Sequence, residues 1–284
     1  MVSYDTLENI GIETLHKTFL NAFSDYQVKT DLPLFKFQQM LQRRGYIPKS
    51  SIGAFDDGIL VGFVLNGIRN WDDILTAYDT GTGVIQPYRK QGITSNMLLN
   101  VGRLFKEMGV EQYLLEVIQS NTSAFQLYKK QGFKILREFE CFHLDKNKYN
   151  PITTYKVEHI NMINSKDWRE MKEFWDFQPS WQNSIDSIDA VSDAFIYSVV
   201  RLNDSIVGYG VIDKKTGDIP QIAVNKNYRY KGIASSIITD LIKNTDSHNI
   251  NVINVDGESK SMMNLLLKLG FKYGVSQYEM ILKL

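Results

Sequence analysis

A six-residue loop motif has residue types and spacing that suggest chemistry, and it occurs twice in the chain. Each copy follows a predicted strand and opens a predicted helix, with glycine at its fourth position. Glycine in such a turn lets backbone N–H groups approach an anion, and the helix N-terminus adds partial positive charge. The motif therefore predicts a binding loop for a pyrophosphate. Its two copies are Arg89-Lys90-Gln91-Gly92-Ile93-Thr94 and Arg229-Tyr230-Lys231-Gly232-Ile233-Ala234.

The alternative for this motif is an ordinary strand-turn-helix connection that binds nothing. Its recurrence in the same context favours the binding loop. The motif is not a Rossmann fingerprint, which needs three glycines, and it is not a P-loop, which needs Gly-Lys-Ser/Thr.

A second motif lies downstream of the first loop, from Asn121 to Phe133. Asn121 is a suitable N-cap for a short helix, and Gly132 is suited to end that helix before the chain returns to the sheet. These structural roles leave Tyr128 unexplained. Its hydroxyl either completes the packing of the helix or donates a proton to a leaving group beside the loop.

Two carboxylates in the first half are candidates for a catalytic base. Glu116 shares one face of a predicted strand with Leu114 and Ile118, where a buried charge without a partner is costly. Asp79 precedes the flexible run 80–83 in the strand that leads to the first loop. Structural roles stay open for both residues, since Asp79 could cap a turn and Glu116 could pair with a surface lysine.

The second half lacks these groups at the matching positions. Alignment on the repeated motifs places Ile219, Asn254 and Leu266 where the first half has its two candidate bases and its tyrosine. We therefore expect the chemistry in the first half and a degenerate second half.

The motifs belong to an internal repeat that defines the domain organisation. The second loop stands 140 residues after the first, and two further anchors return at similar spacing and in the same order. These anchors are Val61-Gly62-Phe63 with Val207-Gly208-Tyr209, and Gly132-Phe133 with Gly270-Phe271. The sequence predicts two copies of one domain, residues 1–146 and 151–284, joined by the polar stretch 145–151.

Apolar spacing predicts the elements that position the motifs, and the resulting class is α+β with a mixed, mainly antiparallel sheet in each half. The run Trp168, Phe174, Trp175, Phe177 and Trp181 has helical spacing, which favours core packing over a substrate-binding wall. The first-half helices are expected at 14–22, 34–43, 95–108 and 123–130, and the strands at 51–55, 59–65, 76–84, 113–118 and 139–144. The same order is expected to repeat over 157–284.

The composition excludes several classes of protein. The chain has 284 residues, 43% of them hydrophobic, and its 32 basic and 32 acidic residues give no net field for nucleic acid or an anionic membrane. No apolar run approaches the roughly 20 residues of a membrane span. The four histidines and Cys141 have no metal-ligand spacing, so no metal is expected. The single cysteine and the lack of a signal peptide after Met1 predict the cytoplasm.

Together the motifs resemble those of the GNAT acetyltransferase superfamily in both halves. The resemblance implies, for each half, a sheet splayed between two central strands with acetyl-CoA in the splay. Thr94 departs from the family pattern, which usually has Gly or Ala there, whereas Ala234 fits it. The matching residues are Arg89, Gly92, Asn121, Ala124, Leu127, Tyr128, Gly132 and Phe133 in the first half, and Arg229, Gly232, Ala234, Gly270 and Phe271 in the second.

The same resemblance implies an N-acetyltransferase that moves an acetyl group from acetyl-CoA to a primary amine of a small molecule or peptide. Glu116 or Asp79 would accept the amine proton, Tyr128 would protonate the leaving thiolate, and backbone N–H groups near Val84 and Ile85 would hold the oxyanion. A non-catalytic acyl-CoA-binding or scaffolding protein is the alternative, favoured by Thr94 and the degenerate second half. The sequence identifies neither the amine nor the oligomeric state.

Overall fold

The computed structural model describes residues 1–25 and 32–284. It divides into two compact units, here called the first unit (residues 1–136 with 278–284) and the second unit (137–277). The predicted domains 1–146 and 151–284 differ from these units, because 137–146 lies in the second unit and 278–284 in the first. Strand pairing decides this assignment, and pairing partners are not specified by local sequence.

The first unit contains the helices and strands that the apolar spacing predicts, and two strands are longer than expected. β3 continues to Trp71, and β6 begins at Lys134. The elements are β1 Ser3–Thr6, α1 Ile12–Ala22, α2 Leu34–Arg44, β2 Ile52–Asp56, β3 Ile59–Trp71, β4 Ile74–Val84, α3 Ile93–Glu107, β5 Gln112–Ile118, α4 Thr122–Lys130 and β6 Lys134–Asp145, which continues into the second unit.

The second unit repeats this order of elements, which confirms the predicted tandem α+β architecture. Its elements are β7 Glu158–Ile160, α5 Ser165–Lys172, α6 Ile185–Asp189, β8 Phe195–Leu202, β9 Ser205–Asp213, β10 Gln221–Val224, α7 Ile233–Asn244, β11 Asn249–Asp256, α8 Lys260–Lys268 and β12 Lys272–Lys283, whose final residues belong to the first unit.

The sheet of the first unit is antiparallel from β1 to β4 and then parallel between β4 and β5. Residues 278–284 lie beside β5, where the Leu284 N–H donates to the Glu111 carbonyl at 3.0 Å. One core packs α1 and α2 on the sheet, and another packs α3 and α4. Met280 is fully buried in the α3 core, so the final strand is an integral part of this unit.

The second unit has an antiparallel sheet in the order β10-β9-β8-β7. β11 pairs with β6 in antiparallel fashion, and a bulge interrupts their register between Val252 and Val255. α7 and α8 cover one core of this unit, and α5 and α6 cover the other. Among the described residues, no helix combines the length and apolar character that crossing a bilayer requires.

Candidate active site

The central strands of the first unit separate at one of the predicted bases. β4 and β5 are paired only from Thr76 to Tyr78 and from Gln112 to Leu114. Beyond Tyr78, β4 continues beside β3 to Val84, with a register shift at the step from Asp79 to Gly81. The separation begins at Asp79 and forms a splay between two central strands, which is the arrangement that the resemblance implies.

The Asp79 carboxylate is buried at this point, with 7% of the residue exposed. Its Oδ1 accepts a hydrogen bond from the Gly81 N–H at 2.9 Å, and its Oδ2 accepts one from the Thr82 hydroxyl at 2.6 Å. Burial raises the pKa of Asp79 to about 6, and these hydrogen bonds limit the rise. Asp79 therefore titrates close to neutral pH, as a general base requires.

The Tyr128 hydroxyl donates a third hydrogen bond to Asp79, at 3.2 Å from Oδ2. Tyr128 lies on α4, whose first turn is capped by the Asn121 side chain accepting from the Ala124 N–H at 3.3 Å. The tyrosine is 8% exposed, and its ring packs edge-on against Phe133. The fold therefore brings together two of the three predicted catalytic residues, although 49 positions separate them in the sequence.

The third predicted catalytic residue, Glu116, is half-buried on β5 and belongs to a group of acidic residues around Tyr78. Burial raises the pKa of Tyr78 well above its ordinary value; Glu116, Asp79 and Glu279 raise it further, and Arg44 lowers it. Glu279 was not predicted, since only the pairing of residues 278–284 places it in the first unit. In residues 1–25 and 32–284, no group of three or more His, Cys, Asp or Glu side chains is placed to hold a metal ion.

The two glycine-containing loops have the same backbone conformation. Lys90 and Gly92 have φ angles of 62° and 77°, and Tyr230 and Gly232 have φ angles of 61° and 91°. Each glycine directly precedes a helix, α3 or α7. Positive φ at alternate residues turns successive N–H groups toward one side, and at a helix N-terminus such a nest attracts an anion. Both loops therefore fit a pyrophosphate.

The surroundings of the two loops differ. Among residues 1–25 and 32–284, no heavy atom lies within 4 Å of a Cβ atom added to Gly92. A Cβ atom on Gly232 would lie 3.0 Å from Thr154 Oγ1. Ser236 holds Thr154 in place, because its hydroxyl accepts from the N–H groups of Thr154 and Tyr155 at 2.9 and 3.1 Å.

The guanidinium of Arg89 is bonded to other groups of the protein and supports the first loop, so its charge is not directed at an anion. Its guanidinium donates to the Val84 carbonyl at 3.0 Å, to the Ala22 carbonyl at 2.8 Å and to Asp25 at 2.6 Å. The hydrogen bond from Arg89 holds the pKa of Asp25 below its ordinary value. The arginine thus ties the end of β4 to the end of α1, which is a structural role that the sequence motif did not reveal.

Arg229 makes the same set of contacts in the second unit. It donates to the Val224 carbonyl at 3.1 Å, to the Phe174 carbonyl at 2.7 Å and to Asp176 at 2.7 Å. The recurrence of all three contacts shows that the arginine belongs to the architecture of the repeat.

The remaining predicted residues of the first site lie around this loop. The Ile85 N–H donates to the Val61 carbonyl at 3.0 Å, so this N–H group is paired with β3. Gln91 Nε2 donates back to the Pro87 carbonyl at 3.1 Å. Ile93 is buried and anchors α3, whereas Thr94 is half-buried in its first turn.

In the second loop, the Lys231 ammonium lies 5.4 Å from the centroid of the Tyr228 ring. Tyr230 is 95% exposed despite its positive φ. Ile233 is buried and begins α7, and Ala234 is half-buried beside it.

In the second unit a parallel bridge joins Asp218 to Asn251, and beyond it β10 pairs with β9 and β11 pairs with β6, which forms a second splay. This splay carries no ionisable group at the positions that match the first. Ile219 and Leu266 are 1% and 0% exposed. Asn254 is 2% exposed, donates to Ser180 Oγ at 2.9 Å and accepts from Gln277 Nε2 at 2.7 Å. This unit therefore has the loop of the first site without its proton acceptor and donor.

A cavity of about 560 Å³ lies in the second unit and reaches from the loop into the splay. Trp168 and Trp181 are buried in the core as the helical spacing predicts. Trp175 and Phe177 are half-buried and line the cavity, and Phe177 also packs against one core of the unit. Helical spacing could not distinguish these two residues from the buried tryptophans, because the helix ends at Lys172 and the spacing has no meaning beyond it.

The sequence of the chain matches one protein-family model and is similar to known proteins. The model of the acetyltransferase (GNAT) family matches residues 12–133 and 160–271, one region in each half of the chain. The chain is similar to N-alpha-acetyltransferase MAK3 of Arabidopsis thaliana, with 26% identity over 129 residues, which are 45% of this chain and 65% of that protein. It is also similar to spermidine N(1)-acetyltransferase of Thermoplasma acidophilum, with 33% identity over 30% of this chain and 50% of that protein.

The chain thus spans between half and two thirds of the length of these two relatives. Among solved structures, the tandem GNAT protein from the clavulanic acid biosynthesis pathway superposes with a TM-score of 0.75 and 12% identity, covering 100% of this chain and 98% of that one. At this identity, the likeness concerns the tandem fold.

Proposed function

Because the chain belongs to the acetyltransferase (GNAT) family, we propose that it transfers an acetyl group from acetyl-CoA to a primary amine, with the chemistry in the first unit. The observation that carries the proposal is the 3.2 Å hydrogen bond from Tyr128 to Asp79 at the splay. It joins a proton donor and a proton acceptor at the place where the two central strands separate. The same unit presents a loop whose Lys90 and Gly92 have the positive φ angles of an anion-binding nest.

In this proposal, backbone N–H groups of the loop from Lys90 to Thr94 hold the pyrophosphate of acetyl-CoA. Bound acetyl-CoA supplies the acetyl group as a thioester. Arg89 contributes indirectly, since its guanidinium holds the loop on the end of β4. The protein thereby keeps the two reactants in one place, which makes a bimolecular reaction effectively unimolecular.

Asp79 takes the proton from the attacking amine. With a pKa of about 6, roughly nine tenths of this carboxyl group is ionised at pH 7 and is able to accept a proton. We prefer Asp79 to Glu116 as the base because Asp79 shares a hydrogen bond with Tyr128. Tyr128 donates its proton to the leaving group, and the proton held by Asp79 then returns to the Tyr128 oxygen across that hydrogen bond.

The acceptor belongs to the class of primary amines. The names of the two relatives describe an N-alpha-acetyltransferase and a spermidine N(1)-acetyltransferase. A peptide α-amine and a polyamine are therefore the first acceptors that we propose to test on this chain.

The alternative, a non-catalytic acyl-CoA-binding module, suits the second unit. Ile219, Asn254 and Leu266 offer no proton acceptor or donor where the first unit has Asp79 and Tyr128. We propose that the second loop binds the same pyrophosphate and that the second unit transfers nothing.

Matched glycine substitutions test the division of roles. Gly92→Glu and Gly232→Glu each put a carboxylate where a phosphate would bind, at positions of similar positive φ. A side chain at residue 232 also meets Thr154, so the melting temperature of each variant is measured first to confirm that both fold. Gly92→Glu should abolish acetylation of the amine, whereas Gly232→Glu should retain it. The opposite ranking would move the active site to the second unit.

Ligand-induced stabilisation tests the use of acetyl-CoA independently of turnover. At about 100 times the dissociation constant, one site raises the free energy of unfolding by about 2.7 kcal/mol. The melting temperature of the wild-type protein should rise by several degrees in millimolar acetyl-CoA. No shift in the wild type would contradict the proposal.

A further inference from the structure

We infer that the Thr82 hydroxyl relays the proton of the attacking amine to the Asp79 carboxylate, which makes Thr82 a further catalytic residue of the first unit. This inference deepens the proposed function and rests on it for the reaction and for the identity of the base. The role of Thr82 itself is argued from the geometry of β4.

The Thr82 hydroxyl makes a short hydrogen bond to the buried carboxylate. It donates to Asp79 Oδ2 at 2.6 Å, and the Tyr128 hydroxyl donates to the same oxygen at 3.2 Å. Burial raises the pKa of Asp79, and the Thr82 hydrogen bond is the largest of the effects that lower it. Asp79 Oδ2 therefore joins two hydroxyl groups, one on β4 and one on α4.

Thr82 is more accessible than the base that it contacts. Asp79 is 7% exposed, whereas Thr82 is half-buried. The pairing of β4 with β5 ends at Tyr78, so Thr82 lies on the part of β4 that borders the splay. An amine in the splay can therefore reach the Thr82 hydroxyl more readily than the buried carboxylate.

An irregularity of β4 brings the two side chains together. In a regular strand, side chains three residues apart point to opposite faces of the sheet. The register shift between Asp79 and Gly81 changes this alternation, and Thr82 meets Asp79. The Gly81 N–H donates to Asp79 Oδ1 at 2.9 Å, and the Arg44 guanidinium donates to the Thr80 carbonyl at 2.8 Å. These contacts hold the irregular segment in the conformation that the relay needs.

The relay carries one proton from the amine nitrogen to the thiolate sulfur. As the lone pair of the neutral amine forms the bond to the acetyl carbon, one N–H proton passes to Thr82 Oγ1 and the Thr82 proton passes to Asp79 Oδ2. The C–S bond then breaks with its electron pair on sulfur, the Tyr128 proton passes to the sulfur, and the proton on Asp79 passes to the Tyr128 oxygen. The products are the amide and the free thiol, and all three side chains regain their starting protonation states. Threonine suits this role because a hydroxyl has one proton to donate and lone pairs that accept.

Thr82→Val tests the relay, because it removes the hydroxyl and keeps the shape of the side chain. Loss of the hydrogen bond should raise the pKa of Asp79 by about one to two units, so rates are compared at about pH 9.5, where Asp79 is ionised in both proteins. At this pH the rate of the chemical step should be at least about 100-fold lower in Thr82→Val. If Thr82 only tuned the pKa of Asp79, the rate at this pH would equal that of the wild type.

Thr82→Val leaves in place the described charged and titratable groups near Asp79 and its strand neighbour Tyr78. These groups belong to β4, β5, α2, α4 and β12, so a shifted acid limb in this variant reports the lost hydrogen bond. They are Arg44, Tyr78, Tyr113, Glu116, Tyr128 and Glu279.

Three further variants separate the hydroxyl from its surroundings. Thr82→Ser retains a hydroxyl and should keep most of the wild-type rate, whereas Thr82→Ala should reproduce the loss seen in Thr82→Val. Thr80→Val is the matched control, since it removes a neighbouring hydroxyl that donates to the Leu65 carbonyl at 3.2 Å and not to Asp79. Melting temperatures and titration with acetyl-CoA should show that all four variants fold and bind the thioester as the wild type does.

A wild-type rate at about pH 9.5 in folded Thr82→Val or Thr82→Ala would overturn the inference. So would a Thr82→Ser variant as slow as Thr82→Val, or an equal loss of rate in Thr80→Val. The proposed function fails separately, if the wild-type protein does not acetylate an amine or if Asp79→Asn keeps wild-type turnover.

Discussion

Replacement of Tyr128 by phenylalanine tests the proposed acid and base together, because the lost hydroxyl donates directly to the buried Asp79 carboxylate. The ring and its packing against Phe133 remain, so the loss of folding stability should be about 1.5 kcal/mol, the lower limit for a hydrogen bond to a charged group. Loss of a general acid typically lowers the rate about 100-fold to 10,000-fold, equivalent to roughly 3 to 5 kcal/mol of barrier. A rate loss of this size with only a small loss of stability indicates a catalytic role for the hydroxyl, whereas an unchanged rate indicates a structural role.

The same substitution should move the pH dependence of the reaction. The Tyr128 hydrogen bond is one of the contacts that lower the pKa of Asp79 against the effect of burial, leaving it at about 6. A hydrogen bond to a charged group contributes about 1.5–3 kcal/mol, and the 3.2 Å length places this one near the lower limit. Its loss should raise the pKa of Asp79 by about one unit. The acid limb of kcat/KM should therefore shift from about pH 6 to about pH 7.

The assay is acetyl-CoA turnover with a primary amine between pH 5 and pH 9, together with titration of acetyl-CoA binding. Tyr209→Phe is the control, because it removes a buried, hydrogen-bonded tyrosine hydroxyl from the second unit and should leave the acid limb in place. The chemical step must be rate-limiting for this test. If Tyr128→Phe then keeps wild-type turnover and an unshifted acid limb, the assignments of Tyr128 as the acid and Asp79 as the base are refuted.

Two further predictions concern stability. Burial raises the pKa of Asp79 from 3.8 to about 6, so the folded state binds its proton more tightly than the unfolded state, and the free energy of unfolding should fall by about 2.4 kcal/mol as pH rises from 4 to 7. Urea unfolding should show this fall in the wild type and lose it in Asp79→Asn, and equal pH dependence of the two proteins would contradict the prediction. Met280→Ala should lower the free energy of unfolding by about 2–5 kcal/mol and accelerate hydrogen exchange in β5 more than in β9, because Met280 is fully buried in the first unit. Met108→Ala, at a 41% exposed position, is the control. Preferential loss of protection in β9 would contradict the assignment of Met280 to the first unit.

The order of helices and strands was predictable from sequence because it depends on local periodicity. The apolar spacing of α3, the Asn121 cap of α4 and the glycines at residues 92 and 232 are all properties of short segments. Repetition of these segments also indicated the tandem architecture. The position of Tyr128 was predictable only in part, since the motif placed the tyrosine on α4 but did not specify Asp79 as the partner of its hydroxyl.

Several properties of the sites depend on contacts between distant segments, and the tertiary structure alone decided them. Strand alternation in residues 278–284 is compatible with either half, and pairing beside β5 is what places Glu279 in the first unit. The structural role of Arg89 depends on Asp25 and Ala22, which lie more than 60 residues earlier in the chain. Burial decides that the pKa of Asp79 is about 6, because desolvation depends on everything packed around the carboxylate. The cavity of the second unit likewise exists only where non-contiguous segments meet, so residue spacing had no means of showing that Trp175 and Phe177 line it.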